Sequence, residues 1–140
     1  MSAFDRYAPL IQDYIYSKGW SELRSVQEEA ATAIFDSADH LLICSSTASG
    51  KTEAAFFPII SELLNDPPGS FGVLYIAPLK SLINDQFERL SELLAAGSIP
   101  LTHWHGDVSS SHKAKALKDP KGILQITPES LESMLINRQN

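Results

Sequence analysis

The sequence has little cysteine, since Cys44 is the only one among its 140 residues. An internal disulfide needs two cysteines and a multi-cysteine zinc finger needs more, so both kinds of crosslinked domain are excluded. Disulfides persist in oxidising compartments, and a chain that cannot form one internally fits a reducing compartment.

Long apolar runs are also missing. No run approaches the roughly 18 residues of a membrane-spanning helix. The first residues, Met1-Ser2-Ala3-Phe4-Asp5-Arg6, lack the basic-then-apolar pattern of a secretory signal. We therefore expect a cytoplasmic protein with no membrane partner.

Basic residues are not in excess. The net charge is −6, and residues 1–66 hold ten acidic and four basic side chains, whereas residues 67–140 hold seven of each. A nucleic-acid binder that is basic throughout is excluded, but a local binding face is not. With 44% hydrophobic and 20% charged residues, the chain is predicted to be globular, either one domain or a piece of a larger one.

Short apolar runs alternate with amphipathic stretches from residue 40 onward. Strands are predicted at 40–44, 71–77, 101–105 and 122–127, and helices at about 51–65, 79–96, 109–118 and 128–138. This alternation predicts an α/β fold, with a parallel sheet of βαβ units and flanking helices.

Two helices are predicted before the first strand. One covers about residues 6–18, and the other begins with Ser25 as its N-cap and Glu28 completing a capping box. The apolar stripe of the second helix is predicted at Val26, Ala30, Ala33 and Ile34. Gln27 lies beside this stripe, and its amide is expected to be free to meet a ligand.

Eight residues between the first predicted strand and its helix have the character of a phosphate-binding loop. They read Ser45-Ser46-Thr47-Ala48-Ser49-Gly50-Lys51-Thr52. Glycine lets the backbone approach a phosphate, and the N–H groups at a helix start attract anions. Lys51 is suited to reach the β- and γ-phosphates, and the Thr52 hydroxyl to hold Mg²⁺. The strict G-x-x-x-x-G-K-[ST] pattern is not met, because position 45 is serine. The alternative is a loop that only caps a helix.

This loop resembles motif I of a superfamily-two helicase of the DEAD/DEAH type, specifically of the Lhr-like group. Motif I usually reads A-P-T-G-S-G-K-T followed by Glu-Ala-Ala, and here Glu53-Ala54-Ala55 follows. Serines replace the family's Ala and Pro, and Ala48 replaces its first Gly, which adopts backbone angles that alanine avoids. The resemblance implies a RecA-like fold, in which residues 45–52 bind ATP and Mg²⁺, Lys51 and Thr52 are catalytic, and Thr52 is the Mg²⁺ ligand.

Gly19-Trp20 and Leu23-Arg24-Ser25-Val26-Gln27 resemble the adenine-reading motif of these helicases. The Gln27 amide can donate to and accept from the adenine edge at once, a pairing that excludes guanine. The resemblance implies that Arg24 stacks on the base, as the similar arginine does in RecQ-like helicases. Residues 1–38 are then a helical lead-in that carries this motif. The alternative is that Gln27 is only a polar residue at a helix start.

Two later regions resemble the nucleic-acid-contacting motifs Ia and Ib. They are Ala77-Pro78-Leu79-Lys80-Ser81-Leu82, and His105-Gly106-Asp107-Val108 with Thr127-Pro128-Glu129-Ser130-Leu131-Glu132. In the family such strand-to-helix corners grip backbone phosphates, which positions a strand without reading its sequence. Thr127 is expected to cap its helix and to touch a phosphate with the same hydroxyl or with its N–H. The resemblance implies contacts with single-stranded DNA or RNA from Pro78, Lys80, Ser81, His105, Thr127 and Pro128. Ordinary helix caps are the alternative.

Two further patterns are given less weight. His103 and His105 alternate on a predicted strand and His112 follows, as in some metal sites, but no cysteine or second cluster completes such a site. Lysines at 113, 115, 118 and 121 form a basic cluster, for which a solvated face is favoured over nucleic-acid contact.

An acidic motif II, typically D-E-x-H, is missing from the 140 residues. Its first acid helps to hold Mg²⁺ and its second positions the attacking water. The only adjacent acids, Glu28-Glu29, lie inside a predicted helix. The second lobe, with its arginine finger, is missing too. We therefore expect residues 1–140 to be an incomplete lobe, the N-terminal part of an ATP-dependent helicase. We expect it to be inactive alone and to have the rest of the helicase as a partner.

Two alternatives remain from other classes of function. One is a non-catalytic nucleic-acid- or protein-binding remnant of a helicase. The other is a P-loop nucleotide kinase, which needs a lid with arginines, whereas only Arg89 and Arg138 follow the loop.

Overall fold

The computed structural model describes residues 1–46 and 50–137, and for part of the helix at 80–96, including Lys80, only the backbone. The chain divides into two compact units, Met1–Asp66 and Pro67–Asn140. No helix in the described ranges is both long and apolar enough to cross a membrane.

The first unit consists of helices α1 (Ala3–Arg6), α2 (Pro9–Ser17), α3 (Ser25–Asp36) and α4 (Lys51–Asn65). Helix α4 has the predicted bounds and contacts both α2 and α3. Apolar side chains spaced three or four residues apart form the core, because that spacing puts them on one helix face. The buried apolar residues of this core include Tyr7, Ile11, Ile15, Ala30, Phe57 and Ile60.

Helix α3 begins one residue earlier than the predicted capping box requires. Its N-cap is Arg24 rather than Ser25, so the third helical position is Gln27 rather than Glu28. The side chain of Gln27 accepts a hydrogen bond from the Arg24 N–H at 3.0 Å. Glu28 instead accepts from the Ala3 N–H at 3.0 Å, which joins α3 to α1.

The buried face of α3 also differs from the predicted stripe. Gln27, Ala30 and Ala31 are the buried residues of this helix, and Gln27 is only 6% exposed. Their spacing of three and four residues puts them on one face, next to the predicted stripe. Gln27 therefore lies on the buried face rather than beside it.

The strand predicted at 40–44 is wrong. These residues have no regular secondary structure. A β-strand needs a neighbour for its backbone hydrogen bonds, and no strand of the described residues pairs with this segment. Leu41 and Leu42 are accordingly 45% and 85% exposed.

The second unit has three strands, β1 (Phe71–Ile76), β2 (Leu101–Trp104) and β3 (Gly122–Ile126). They form a parallel sheet in the order β1-β3-β2. Helices α5 (Lys80–Ala96), α6 (Ser110–Lys118) and α7 (Pro128–Asn137) follow β1, β2 and β3 in turn. The predicted α/β class and its parallel sheet are confirmed.

One face of this sheet packs against α6 and α7. Trp104, Leu124 and Ile126 are buried there against Ala116, Leu117, Leu131 and Met134. Side chains alternate along each strand, so Ile123 and Gln125, both fully buried, point to the opposite face. On the outer strand β1, alternate residues are exposed, including Leu74 at 53% and Ile76 at 48%.

The turn into β3 depends on a glycine. Gly122 has φ +73°, in the left-handed region that glycine adopts readily. An added Cβ would overlap the carbonyl oxygen of Pro100. That oxygen accepts a hydrogen bond from the Ile123 N–H at 2.9 Å, which fixes the start of the central strand.

Candidate nucleotide and nucleic-acid sites

The first unit holds the described part of the predicted phosphate loop. Gly50, with φ +84°, is the N-cap of α4, and its carbonyl accepts the first helical hydrogen bond, from the Ala54 N–H at 2.9 Å. A Cβ at Gly50 would lie 2.5 Å from Nε2 of Gln27. The backbone angle therefore favours glycine here, and a Cβ would also require the Gln27 amide to move. Thr47, Ala48 and Ser49 lie outside the described residues.

The start of α3 lies directly against this loop end. Gln27 donates from Nε2 to the Gly50 carbonyl oxygen at 3.5 Å, while its Oε1 accepts from the Arg24 N–H. The structure therefore brings Arg24, Gln27 and Gly50 together, as a joint adenine and phosphate site requires. The amide is not free, contrary to the sequence-based expectation, because it lies on the buried face and joins α3 to the start of α4.

Lys51 and Thr52 occupy the first turn of α4. Lys51 is exposed, and its Nζ donates to the Ser45 carbonyl oxygen at 2.9 Å. Thr52 is half-buried, and Ser46 is exposed. The positive end of a 15-residue helix dipole adds to the charge of Lys51. These groups suit a nucleotide phosphate, and the Thr52 hydroxyl suits Mg²⁺, which prefers oxygen ligands.

The second unit contains a cavity of about 680 Å³ where β2 and β3 end. In open α/β sheets, ligands commonly bind beyond the carboxyl ends of the strands. Three residues predicted to contact nucleic acid, Pro78, His105 and Thr127, line this cavity. Ser81 and Pro128 are exposed, and the side chain of Lys80 lies outside the described part of the chain.

Thr127 caps α7, as predicted, but its hydrogens are engaged within the protein. Its hydroxyl accepts from the Ser130 N–H at 3.3 Å and donates to the Ser130 hydroxyl oxygen at 3.0 Å. Its own N–H donates to the Trp104 carbonyl oxygen at 3.3 Å, which continues the β2–β3 pairing. Among the described residues, the Ser130 hydroxyl is therefore the one of this pair whose hydrogen has no acceptor. Ser130 is not among the residues predicted from the sequence to contact a ligand.

His105 is similarly engaged. The Asp107 N–H donates to its Nδ1 at 3.2 Å, so the ring proton lies on Nε2, which donates to the Asn84 side-chain oxygen at 3.1 Å. His105 is 4% exposed. These bonds hold the imidazole as part of the cavity wall and tie β2 to α5.

His103 and His112 lie near His105 without forming a metal site. The His103 ring centroid is 5.6 Å from that of His105 and 6.1 Å from that of His112. In the described part of the chain, no cluster of three or more histidine, cysteine or acidic side chains could hold a metal ion. Burial, and then the neighbouring imidazoles of His105 and His112, lower the pKa of His103 below its ordinary value.

Lys113 is a cavity residue that the sequence did not distinguish. It is half-buried, and its Nζ lies 5.5 Å from the centroid of the Trp104 ring. Lys115 and Lys118 are exposed, and Lys121 lies 3.5 Å from Asp119. In the sequence these four lysines look alike, because nothing local shows which one reaches the aromatic side chain of another element.

Known proteins of related sequence and structure are helicases. The family model described as DEAD/DEAH box helicase matches residues 24–140. ATP-dependent helicase Lhr-Core of Methanothermobacter thermautotrophicus is 38% identical over 113 residues, which cover 69% of this chain and 13% of that protein. The Lhr-Core protein of Methanocaldococcus jannaschii is 37% identical over 109 residues, which cover 66% of this chain and 13% of that protein. The chain thus spans about an eighth of the length of these relatives.

A solved helicase has the same fold. The helicase Lhr of Mycobacterium smegmatis, bound to single-stranded DNA and AMP-PNP, superposes with a TM-score of 0.83 and 29% identity. The match covers 96% of this chain and 18% of that one. The described fold is thus that of a RecA-like helicase domain, and the family match covers most of the sequence. The chain belongs to the DEAD/DEAH box helicase family.

Proposed function

We propose that residues 1–140 are the N-terminal part of an ATP-dependent helicase lobe that binds ATP and single-stranded nucleic acid. The observation that carries this proposal is the contact of Gln27 with Gly50. It joins the only base-reading side chain suggested by the sequence to the start of the phosphate-binding helix, within one compact unit. A nucleotide bound there would have its base and its phosphates held by the same pair of helices.

The proposed roles within the nucleotide site combine the resemblance to helicase motifs with the positions of the described side chains. Arg24 would stack on the base and Gln27 would read its edge, and residues 45–52 are proposed to bind the phosphates. Lys51 leaves the Ser45 carbonyl to bind the β- and γ-phosphates, since a phosphate offers a charged acceptor in place of a neutral one. The Thr52 hydroxyl would hold Mg²⁺, which when bound would offset the charge of the phosphates and assist their transfer.

The nucleic-acid site lies in the second unit, at the cavity beyond β2 and β3. Pro78, His105 and Thr127 line its wall. Lys80 and Ser81 begin the helix that follows β1, and Pro128 begins the helix that follows β3. Such corners contact the sugar–phosphate backbone and give little sequence selectivity. We expect single-stranded DNA or RNA to bind there in a cytoplasmic protein.

Hydrolysis is assigned to the longer protein. None of the three described strands is followed by a pair of adjacent acids, and Glu28-Glu29 lies within α3. The attacking water therefore has no positioning carboxylate of the expected kind in these residues. A non-catalytic binding fragment is the second candidate, supported by the same observation.

Calorimetric titration with ATP and Mg²⁺ tests the nucleotide site. Lys51→Ala removes a charge-assisted contact of about 1.5–3 kcal/mol, so we expect the affinity to fall roughly 10- to 100-fold. Lys118→Ala, on the exposed side of α6, is the matched control and should bind ATP like the parent chain. Equal affinity in Lys51→Ala and the parent would refute the phosphate-site assignment.

A further inference from the structure

The hydrogen bonds around the cavity of the second unit decide which groups can still bind a ligand. Thr127 and His105, the wall residues expected to contact nucleic acid, already use their polar hydrogens on Trp104, Ser130 and Asn84. Neither has a hydrogen left for a phosphate oxygen without breaking one of these bonds. A phosphate in this cavity must therefore find its donors elsewhere.

Lys113 has the position and the charge for this role. It lines the cavity and is half-buried, and its ammonium group lies over the Trp104 ring at 5.5 Å. In the described part of the chain, no carboxylate forms an ion pair with it. A cation held over an aromatic face keeps its hydrogens available while losing part of its conformational freedom.

Ser130 is a second available donor. Its hydroxyl oxygen accepts the Thr127 hydrogen, and its own hydrogen has no acceptor among the described residues. It lies on the first turn of α7 and lines the same cavity as Lys113. The two residues come from different helices, so a ligand that contacts both would bridge α6 and α7.

We propose that Lys113, with Ser130, binds a backbone phosphate of single-stranded nucleic acid in this cavity. The proposal deepens the nucleic-acid function proposed above and rests on it. Glu129 also lines the cavity, so its formal charge with Lys113 is zero. A free phosphate ion would gain little from a neutral site, whereas a nucleic-acid strand adds neighbouring contacts. Leu79, 59% exposed, and Met134 offer apolar surface for the sugars or bases of such a strand.

The test is fluorescence anisotropy of the 140-residue chain with labelled oligothymidylate and oligouridylate over a range of salt concentrations. Log affinity falls linearly with log salt, and removing one phosphate contact should make this negative slope shallower by about 0.7 for a single strand. We expect Lys113→Gln to show this change and to weaken binding roughly tenfold at low salt. Lys113→Arg, which keeps the charge, should restore both the affinity and the slope.

Two further variants separate this role from general electrostatics. Lys118→Gln removes the same charge from the exposed part of α6 and should change binding less than twofold. Ser130→Ala should weaken binding a few-fold without changing the slope, because a neutral donor releases no counterion. If Lys113→Gln behaves like Lys118→Gln while the parent chain binds the oligonucleotide, the assignment of Lys113 is refuted and the proposed nucleic-acid function still holds. If the parent chain binds neither oligonucleotide, the proposed nucleic-acid function fails and this assignment with it.

Inorganic phosphate distinguishes a nucleic-acid site from a simple anion site. Added at constant ionic strength, it should not displace the oligonucleotide, since the cavity has no net charge to hold a free ion. Displacement that is lost in Lys113→Gln would overturn the assignment to nucleic acid and indicate a small-anion site.

Discussion

Gln27 combines a structural and a proposed recognition role in one amide. Its oxygen caps α3 through the Arg24 N–H, and its nitrogen contacts the Gly50 carbonyl. Each end of the amide has a second hydrogen-bonding capacity, so reading adenine would use the second N–H and lone pair or replace one of these partners. A substitution at this position therefore affects helix stability and nucleotide choice together, unless the variant keeps the capping oxygen.

Gln27→Ala removes both hydrogen-bonding groups of the amide. We expect its preference for ATP over GTP to fall by a factor of roughly ten, because an unpaired base edge costs about 1–3 kcal/mol, and about 1 kcal/mol of unfolding free energy to be lost with the cap. Competition binding of the two triphosphates measures the ratio. Gln27→Glu is the control, because its carboxylate keeps an acceptor for the Arg24 N–H and for the adenine amino group, whereas guanine has only acceptors at the same edge. It should bind both triphosphates more weakly and keep the preference for ATP. An unchanged ratio in Gln27→Ala would place adenine reading elsewhere.

His103 links the stability of the second unit to pH. Its pKa is lowered in the folded chain by burial and by its imidazole neighbours, whereas the unfolded chain has the ordinary value of about 6.5. As the pH falls through about 6.5, the unfolded state takes up a proton that the folded state does not. The unfolding free energy contributed by His103 is therefore fully present above that pH and decreases as the pH falls toward the lowered pKa.

Urea denaturation at pH 7.5 and pH 5.5 tests this linkage. We expect His103→Gln to lose less stability between the two pH values than the parent chain does. His40→Gln is the control, because His40 is exposed and lies outside the sheet. The same loss in His103→Gln and in the parent would contradict the effect.

Elements with complete local signals were predictable, and elements that depend on distant partners were not. Helix α7 begins where Thr127 and Pro128 predict, since an N-cap and a proline act within one turn. The segment at 40–44 has the apolar character of a strand, but a strand exists only beside another, and the sequence does not say which. The hydrogen bonds of His105 and the position of Lys113 likewise depend on contacts with other elements.

Gly122 determines how the central strand β3 begins. Gly122→Ala would place a side chain at a positive φ and against the Pro100 carbonyl oxygen. Because this oxygen would have to move, we expect the hydrogen bond from the Ile123 N–H to it to be lost as well. We expect a loss of roughly 2–4 kcal/mol in unfolding free energy. Urea denaturation followed by circular dichroism measures it. Gly69→Ala is the matched control, because a Cβ there meets nothing within 4 Å, and equal stability of the two variants would disprove this role.

The whole chain is expected to bind ATP without turning it over at a helicase-like rate. Phosphoryl transfer needs a positioned metal, an aligned water and charge stabilisation at the γ-phosphate. In the proposed site Lys51 and Thr52 would serve the first and last of these, but an arginine supplied by a partner lobe contributes about 10³–10⁵ in rate in related systems.

A coupled ATPase assay with single-stranded DNA and RNA checks this expectation. Lys51→Ala serves as the blank for contaminating activity. Turnover on the order of one per second that disappears in the blank would reveal a catalytic acid among these residues that the expected motif does not describe.

The outer strand β1 has a practical consequence for work with the isolated chain. No strand of the described residues pairs with its outer edge, and the side chains of Leu74 and Ile76 are exposed on one face of this strand. An unpaired edge is a template for strands of other molecules, so self-association should increase with concentration. Sedimentation velocity should detect it, and Leu74→Lys should reduce it more than Leu42→Lys, a change at an exposed residue outside the sheet. The same edge would allow the sheet to be extended by one added strand. A peptide designed to pair with β1 would cover the edge and should keep the isolated chain in solution.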